Sequence, residues 1–207
     1  MPIVQAESLR RIGVEILQRA GATRPEAETV ATLLVDANLD GHDSHGIVRI
    51  PQYVGGVDSG QIVPGAISEV ERQTPATAVL NGNWGFGHVT ARDAMRLAVE
   101  KAATASIGLV TVHRCNHVGR LGSFALMAAE EGMLGLVTSN GHGADLAMAP
   151  YWRVGSDSAC QLPGCGRPVE RAIPLAVRPD RCGGGRRKGS SCRGSRGTDS
   201  GGLAGGR

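Results

Sequence analysis

Two short, unbroken apolar runs constrain this chain more than anything else in it: Ile107-Gly108-Leu109-Val110-Thr111-Val112 and Leu134-Gly135-Leu136-Val137-Thr138. Runs of this kind are what strands buried on both faces look like. Between them lie a polar loop, His113 to Gly122, and a helical stretch from about Ser123 to Glu131 that stops at Gly132. Strand, loop, helix, strand is the order of a βαβ unit, and α/β proteins place ligands in the loops at the carboxyl ends of such strands. His117 and Asn140 stand on those two loops.

The residues before this unit read differently. Leu9, Ile12, Ile16 and Leu17 fall on one helical face and Gly21 follows as a stop, which predicts a first helix from Glu7 to Ala20. Thr23-Arg24-Pro25-Glu26 is a capping box, with Pro25 tolerated in the first turn. It opens a second helix to about Asp40, with Ala27, Val30, Ala31 and Leu34 inward. After a polar cluster, Ile47, Ile50, Val54 and Val57 resume a helical period, so that Arg49 and Tyr53 share a face. Val63-Pro64-Gly65 ends the helical text, and short strands are expected over 67–72 and 77–80. Ala91, Ala94, Met95, Ala98, Val99 and Ala102 then mark a long amphipathic helix before the first buried strand. The expected fold is α/β: a helical lobe over 1–62, an α/β lobe over 63–150, and a remainder over 151–207 rich in Gly, Arg, Pro, Ser and Cys. That remainder, Arg181 to Lys188 and 201–207 above all, lacks the apolar residues needed to offset the entropy of ordering, so disorder is expected there.

A net charge of +3, spread along the chain apart from its last quarter, does not call for nucleic acid. Met1 to Glu7 lacks a basic segment followed by an apolar one, and no run approaches the roughly 20 apolar residues of a membrane span, so a cytoplasmic protein without a membrane partner is expected. Gly85-Phe86-Gly87-His88 follows a strand and opens a helix, but lacks the third glycine of a dinucleotide fingerprint and reads as a tight turn.

The chemistry gathers in Gly41-His42-Asp43-Ser44-His45-Gly46 with Arg49 and Tyr53, and again in Asn116-His117-Val118-Gly119. Neither group has a zinc spacing, and Arg114 would repel a cation, so no metal is assigned. Histidines also cap helix ends without any further role, and that is the plain alternative for each of them. Reduction of a 2-oxo acid by hydride requires an acid for the developing alkoxide and a guanidinium for the carboxylate. A histidine suits the first task and Arg49 the second. Gly119 and Gly122, before a helix start, suit close approach of backbone amides to an anion such as a cofactor phosphate.

Ser44-His45-Gly46 with Arg49 and Tyr53, Asn116-His117-Val118-Gly119 before a helix, and the strand end Gly135 to Asn140 together resemble the second type of malate/L-lactate dehydrogenase, over roughly residues 5–150. The resemblance implies a non-Rossmann fold and NAD- or NADP-dependent interconversion of 2-hydroxy and 2-oxo acids, usually in a homodimer. It implies His45 as proton donor, His117 as a second acid/base or a substrate contact, and Ser44 as a hydrogen-bond partner. Arg49 and Tyr53 are expected to bind substrate, and Asn140 and Gly141 to begin the cofactor pocket with Gly119. Members of that family continue into a Thr-Asn-Pro segment, a further strand and a Gly-Lys helix start. Here Ala149-Pro150-Tyr151 leads instead into the composition of GC-rich DNA read out of frame. A truncated or frameshifted product with little hydride transfer is therefore expected. Two other readings stand beside it: a metal-dependent hydrolase using His42, His45 and His117, and a zinc or nucleic-acid module built on Cys160, Cys165, Cys182, Cys192 and the basic tail.

Overall fold

The computed structural model describes residues 4–139 and the strand at 173–177. Helices α1 (Ala6–Arg19), α2 (Arg24–Leu39) and α3 (Ile50–Asp58) precede strands β1 (Glu69–Gln73) and β2 (Thr77–Asn81). Helix α4 (Gly87–Ala105), strand β3 (Ile107–His113), helix α5 (Leu121–Glu130), strand β4 (Leu134–Thr138) and strand β5 (Ile173–Val177) complete the order. The five strands form one mixed sheet in the order β1-β2-β3-β5-β4. This is the helical lobe followed by an α/β lobe that the sequence leads one to expect.

Helix α2 begins as the capping box requires. The Thr23 amide and hydroxyl both donate to Glu26 Oε2, at 2.8 and 2.7 Å. The same carboxylate accepts the amide of Gly65 at 2.9 and 3.0 Å, so a buried Glu26 also pins the chain that leaves α3. Glu26→Ala strands three donors at once, and we expect it to cost about 2 kcal/mol, read as a lowered urea midpoint at unchanged slope.

Helix α1 presents a different face from the expected one. Gly13 and Leu17 are buried, whereas Ile12 and Ile16 are 46% and 38% exposed. The reason is Gly13: a Cβ there would stand 3.1 Å from Ala31 Cβ and 3.3 Å from Ile50 Cδ1. The glycine lets α1 lie close on α2 along its own stripe, and the larger isoleucines turn outward. Leu17, Val30, Leu34, Ile50, Tyr53, Ile62 and Phe86 then fill the core of this lobe.

Around the sheet, Ala91, Ala94, Met95, Ala98 and Ala102 of α4 pack on Ala78, Leu80, Val110 and Val112, with Phe124 and Ala128 of α5 beside them. The alanine stripe brings α4 so near that Gly108 of β3 faces the Ala98 carbonyl with no room for a side chain. Strands β2 and β3 pair in parallel through α4. The expected unit β3-α5-β4 is also present with parallel strands, but they are not neighbours: β5 lies between them, antiparallel to both. Residues 173–177 thus depart from the structureless tail expected over 151–207. Ile173-Pro174-Leu175-Ala176-Val177 is an apolar run short enough for a buried strand. Its proline is accommodated because pairing with β3 stops at Leu175, so Pro174 is paired only toward β4. The other tail residues, with Cys160, Cys165, Cys182 and Cys192, lie outside the described residues.

Candidate active site

Helix α2 ends at a glycine in the left-handed region, Gly41 at φ 78°, with the Gly41 and His42 amides returning to the Asn38 and Ala37 carbonyls. Two 3-10 turns follow, Asp43–His45 and Ile47–Arg49. Asn38 holds them in place: its Oδ1 accepts the Ile47 amide at 2.8 Å, and its Nδ2 donates to Asp43 Oδ1 at 2.5 Å. Gly46 lies directly on Asn38, where a Cβ would overlap the amide. The Ser-His-Gly triplet is therefore a rigid turn clamped to the end of a buried helix.

The second half comes from the loop after β3. Asn116 Nδ2 faces three backbone carbonyls, those of Gln61 at 3.1 Å, Trp84 at 2.8 Å and Gly85 at 3.0 Å. Its Oδ1 is buried without a partner among the described residues. Gly87, opening α4, backs onto the Asn116 and His117 carbonyls, leaving no space for a methyl. Arg120 closes the far side by an ion pair with Asp40.

These supports bring together residues that stand 72 positions apart in the chain, His45 and His117, whose rings stack with centroids 5.6 Å apart and planes 25° from parallel. Ser44 Oγ lies 2.9 Å from His45 Nδ1. Arg49 donates from Nε to the Ser44 carbonyl at 2.6 Å and from Nη1 to Gln52 Oε1 at 2.9 Å. Nη2 has no hydrogen-bond partner among the described residues. Tyr53 is 2% exposed, with its hydroxyl 2.9 Å from His117 Nδ1, and Arg49 is near enough for its charge to act on the phenol.

A third imidazole, His88, was not singled out by the sequence reading. It is 2% exposed and meets Tyr53 edge-on at 5.3 Å and His117 at 6.4 Å. Its position was available in the sequence: 88, 91, 95, 98 and 102 follow one helical stripe, which assigns His88 to the buried face of α4. Gly119, at φ 76°, rests on this ring, and a Cβ would strike Nε2.

Charge is disfavoured throughout the cluster. Burial, then Arg49 and His42, lowers the His45 pKa from its ordinary value. Burial, then Arg49 and His45, takes His117 down to about 4. Burial, then His117 and His45, takes His88 down to about 3. Burial likewise pushes the neighbouring Cys115 thiol up to about 12, so it is no nucleophile near neutral pH.

His42 does not join the group; its Nδ1 lies 3.2 Å from the Asp40 carbonyl. His113 pairs instead with Glu71 at the sheet edge, at 3.0 Å. Among the described residues no three His, Cys, Asp or Glu side chains are placed to hold a metal, and the trio of the hydrolase reading is not assembled. Of the residues expected at the cofactor, Gly119 is described and rests on the ring of His88. Asn140 and Gly141 lie outside the described residues.

A helical lobe that delivers a clamped Ser-His-Gly turn to an Asn-His loop on a mixed sheet defines a class, and comparison with known proteins assigns it. The chain belongs to the malate/L-lactate dehydrogenase family, whose model matches residues 4–155. It is similar to the malate/(S)-sulfolactate dehydrogenase of Methanothermus fervidus, 38% identical over 148 residues, covering 72% of this chain and 43% of that protein. The L-sulfolactate dehydrogenase of Methanothermobacter thermautotrophicus is 42% identical over 147 residues, covering 71% of this chain and 42% of its own. Among solved structures, the malate dehydrogenase of Pyrococcus horikoshii superposes with a TM-score of 0.65 at 39% identity, covering 66% of this chain and 39% of that one. The chain spans about two-fifths of the length of these relatives.

Proposed function

We propose that this chain carries the acid/base half of an oxidoreductase that interconverts a 2-hydroxy acid, of the malate, lactate or sulfolactate kind, and its 2-oxo acid. The observation that carries the reading is the stacked pair His45 and His117, with Arg49 anchored beside it through the Ser44 carbonyl. In this reading Arg49 takes the substrate carboxylate end-on through Nη1 and Nη2, and His45 exchanges the proton of the C2 oxygen. Ser44 fixes the Nδ1 side of His45, which leaves Nε2 for substrate.

The electrostatics suit that division. Arg49 is the second cause, after burial, of the lowered His45 pKa. With its ring neutral, His45 is ready to accept the hydroxyl proton during oxidation. A carboxylate bound to Arg49 offsets that positive charge, raises the His45 pKa and readies the ring as the acid for reduction. We propose NAD or NADP as the hydride partner, cytoplasmic residence and a homodimer, in line with the family. No helix among the described residues is long and apolar enough to cross a membrane.

The test is binding. L-Malate, L-lactate and sulfolactate are titrated into the chain while the histidine ring resonances are followed by NMR. At least one acid is expected to move His45 and His117, and Arg49→Ala to weaken it about ten- to a hundredfold, the worth of hydrogen bonds to a charged group. If all three acids leave both rings unmoved at roughly 50 mM, far above the millimolar range of weak specific ligands, the reading is lost.

A further inference from the structure

Tyr53 has one hydrogen-bond contact among the described residues, Nδ1 of His117 at 2.9 Å. A phenol carries one proton, and burying it without an acceptor costs about 1–3 kcal/mol. Tyr53 is 2% exposed, so among the described residues its proton has nowhere else to go. A neutral imidazole has one donor and one acceptor nitrogen, and a proton delivered to Nδ1 makes Nδ1 the acceptor. The ring's own proton must then sit on Nε2, the nitrogen on the other edge, which has no hydrogen-bond partner among the described residues. Were the roles reversed, with His117 donating from Nδ1, the Tyr53 proton would be orphaned in the core.

We propose that Tyr53 is a positioning residue that donates its hydroxyl proton to His117 and holds that ring as the neutral Nε2–H tautomer. His117 then presents a hydrogen-bond donor to the pocket and is not itself the exchanging acid or base. This rests on the hydroxy-acid reading for what the donor meets: the oxygen on C2, shared with His45. A donor that keeps its proton stabilises the oxygen in both oxidation states, whereas a second titrating imidazole would compete with His45 for the same proton. The surroundings enforce the same state. Arg49 and His45 face His117 from the turns before α3, His88 from α4 and Tyr53 from α3. The described groups that face it are thus cationic, neutral or able to become cationic, and none is a carboxylate that would stabilise the imidazolium.

The test uses the whole chain, nitrogen-15 labelled, with His117 assigned by loss of its signals in His117→Gln. Long-range proton–nitrogen spectra report which ring nitrogen is protonated. The wild-type ring is expected to carry its proton on Nε2, with Nδ1 showing the shift of a hydrogen-bonded acceptor. In Tyr53→Phe the Nδ1 resonance is expected to move to that of an unpartnered nitrogen. The pKa of His117 should rise by about one unit, because the lost bond favoured the neutral form. A proton on Nδ1 in the wild type overturns the proposal without need of any variant, and so does an unchanged His117 pKa in a folded Tyr53→Phe chain. Both readouts are taken without substrate. They therefore stand apart from the binding test of Arg49, which can fail while the tautomer is as stated.

Discussion

Asn116→Asp is expected to destabilise the chain by on the order of 4 kcal/mol, a large part of what holds a domain of this size together. The substitution changes no volume. It replaces an amide nitrogen that donates toward three carbonyls, on Gln61, Trp84 and Gly85, with an oxygen that repels them. Asn116 is 6% exposed, so water cannot screen the charge. The carboxyl would escape by staying protonated, which raises its folded pKa above its unfolded one. The variant's deficit is therefore smallest below the unfolded carboxyl pKa, near 4, and grows as pH rises through the folded value. Urea midpoints of both chains at pH 5 and pH 7.5 measure this, with the gap wider at the higher pH. The consequence reaches the site, because the three carbonyls belong to the segments leaving α3 and entering α4. Their shared amide fixes where the next residue, His117, stands against Tyr53 and His45. A deficit below about 1 kcal/mol would mean that the loop is held by something other than this side chain.

The sequence carried much of this arrangement because local chemistry decided it. Thr23 and Glu26 need only one turn of helix to meet, and both apolar runs are strands as their patterning suggests. Only 107–112 is substantially buried, however: in 134–138 Leu134 and Leu136 are 67% and 55% exposed, against the expectation of a strand covered on both faces. The polar loops at the strand ends, and the pairing of Ser44-His45 with Asn116-His117, followed from the same reasoning. What escaped was set by packing at a distance. The stripe of α1 that faces inward was decided by the fit of Gly13 against Ala31, which outweighed the larger apolar surface of Ile12 and Ile16. The place of β5 between β3 and β4 is a matter of strand order, on which periodicity is silent. Tyr53 lies inside α3, and its buried hydroxyl meets His117 from a loop 64 positions on, a contact that local spacing does not reveal. His88 was legible on its helical stripe, yet a glycine-histidine pair before a helix draws attention as a turn and not as a wall of the site.

Mild acid is expected to unfold this protein before its carboxylates are reached. In the unfolded chain each histidine titrates near 6.5. In the folded chain His88 does so at about 3 and His117 at about 4, with burial the first cause for both. Across that window the unfolded state binds more protons than the folded state, so stability is fully present above pH 6.5 and is lost as pH falls toward 4. The loss for the two rings together is on the order of 5 kcal/mol, within the stability of an ordinary domain, so the chain should pass its midpoint without urea above pH 4. Glu71, whose pKa is lowered by His113, acts in the same direction but only in the carboxylate range, and it is solvent-exposed. His88→Phe separates the contributions. The phenyl ring keeps the edge contact with Tyr53 and the surface against Gly119, and it removes both the titrating group and a buried Nδ1 that has no partner among the described residues. The variant should hold its urea midpoint about one pH unit further into acid, with the slope of stability against pH reduced by roughly one proton. A wild type whose stability stays level between pH 7 and pH 5 would mean that a ring of this cluster is already charged when folded. In that state a neutral His45, waiting beside Arg49 for a hydroxyl proton, loses the dry surroundings that keep it so.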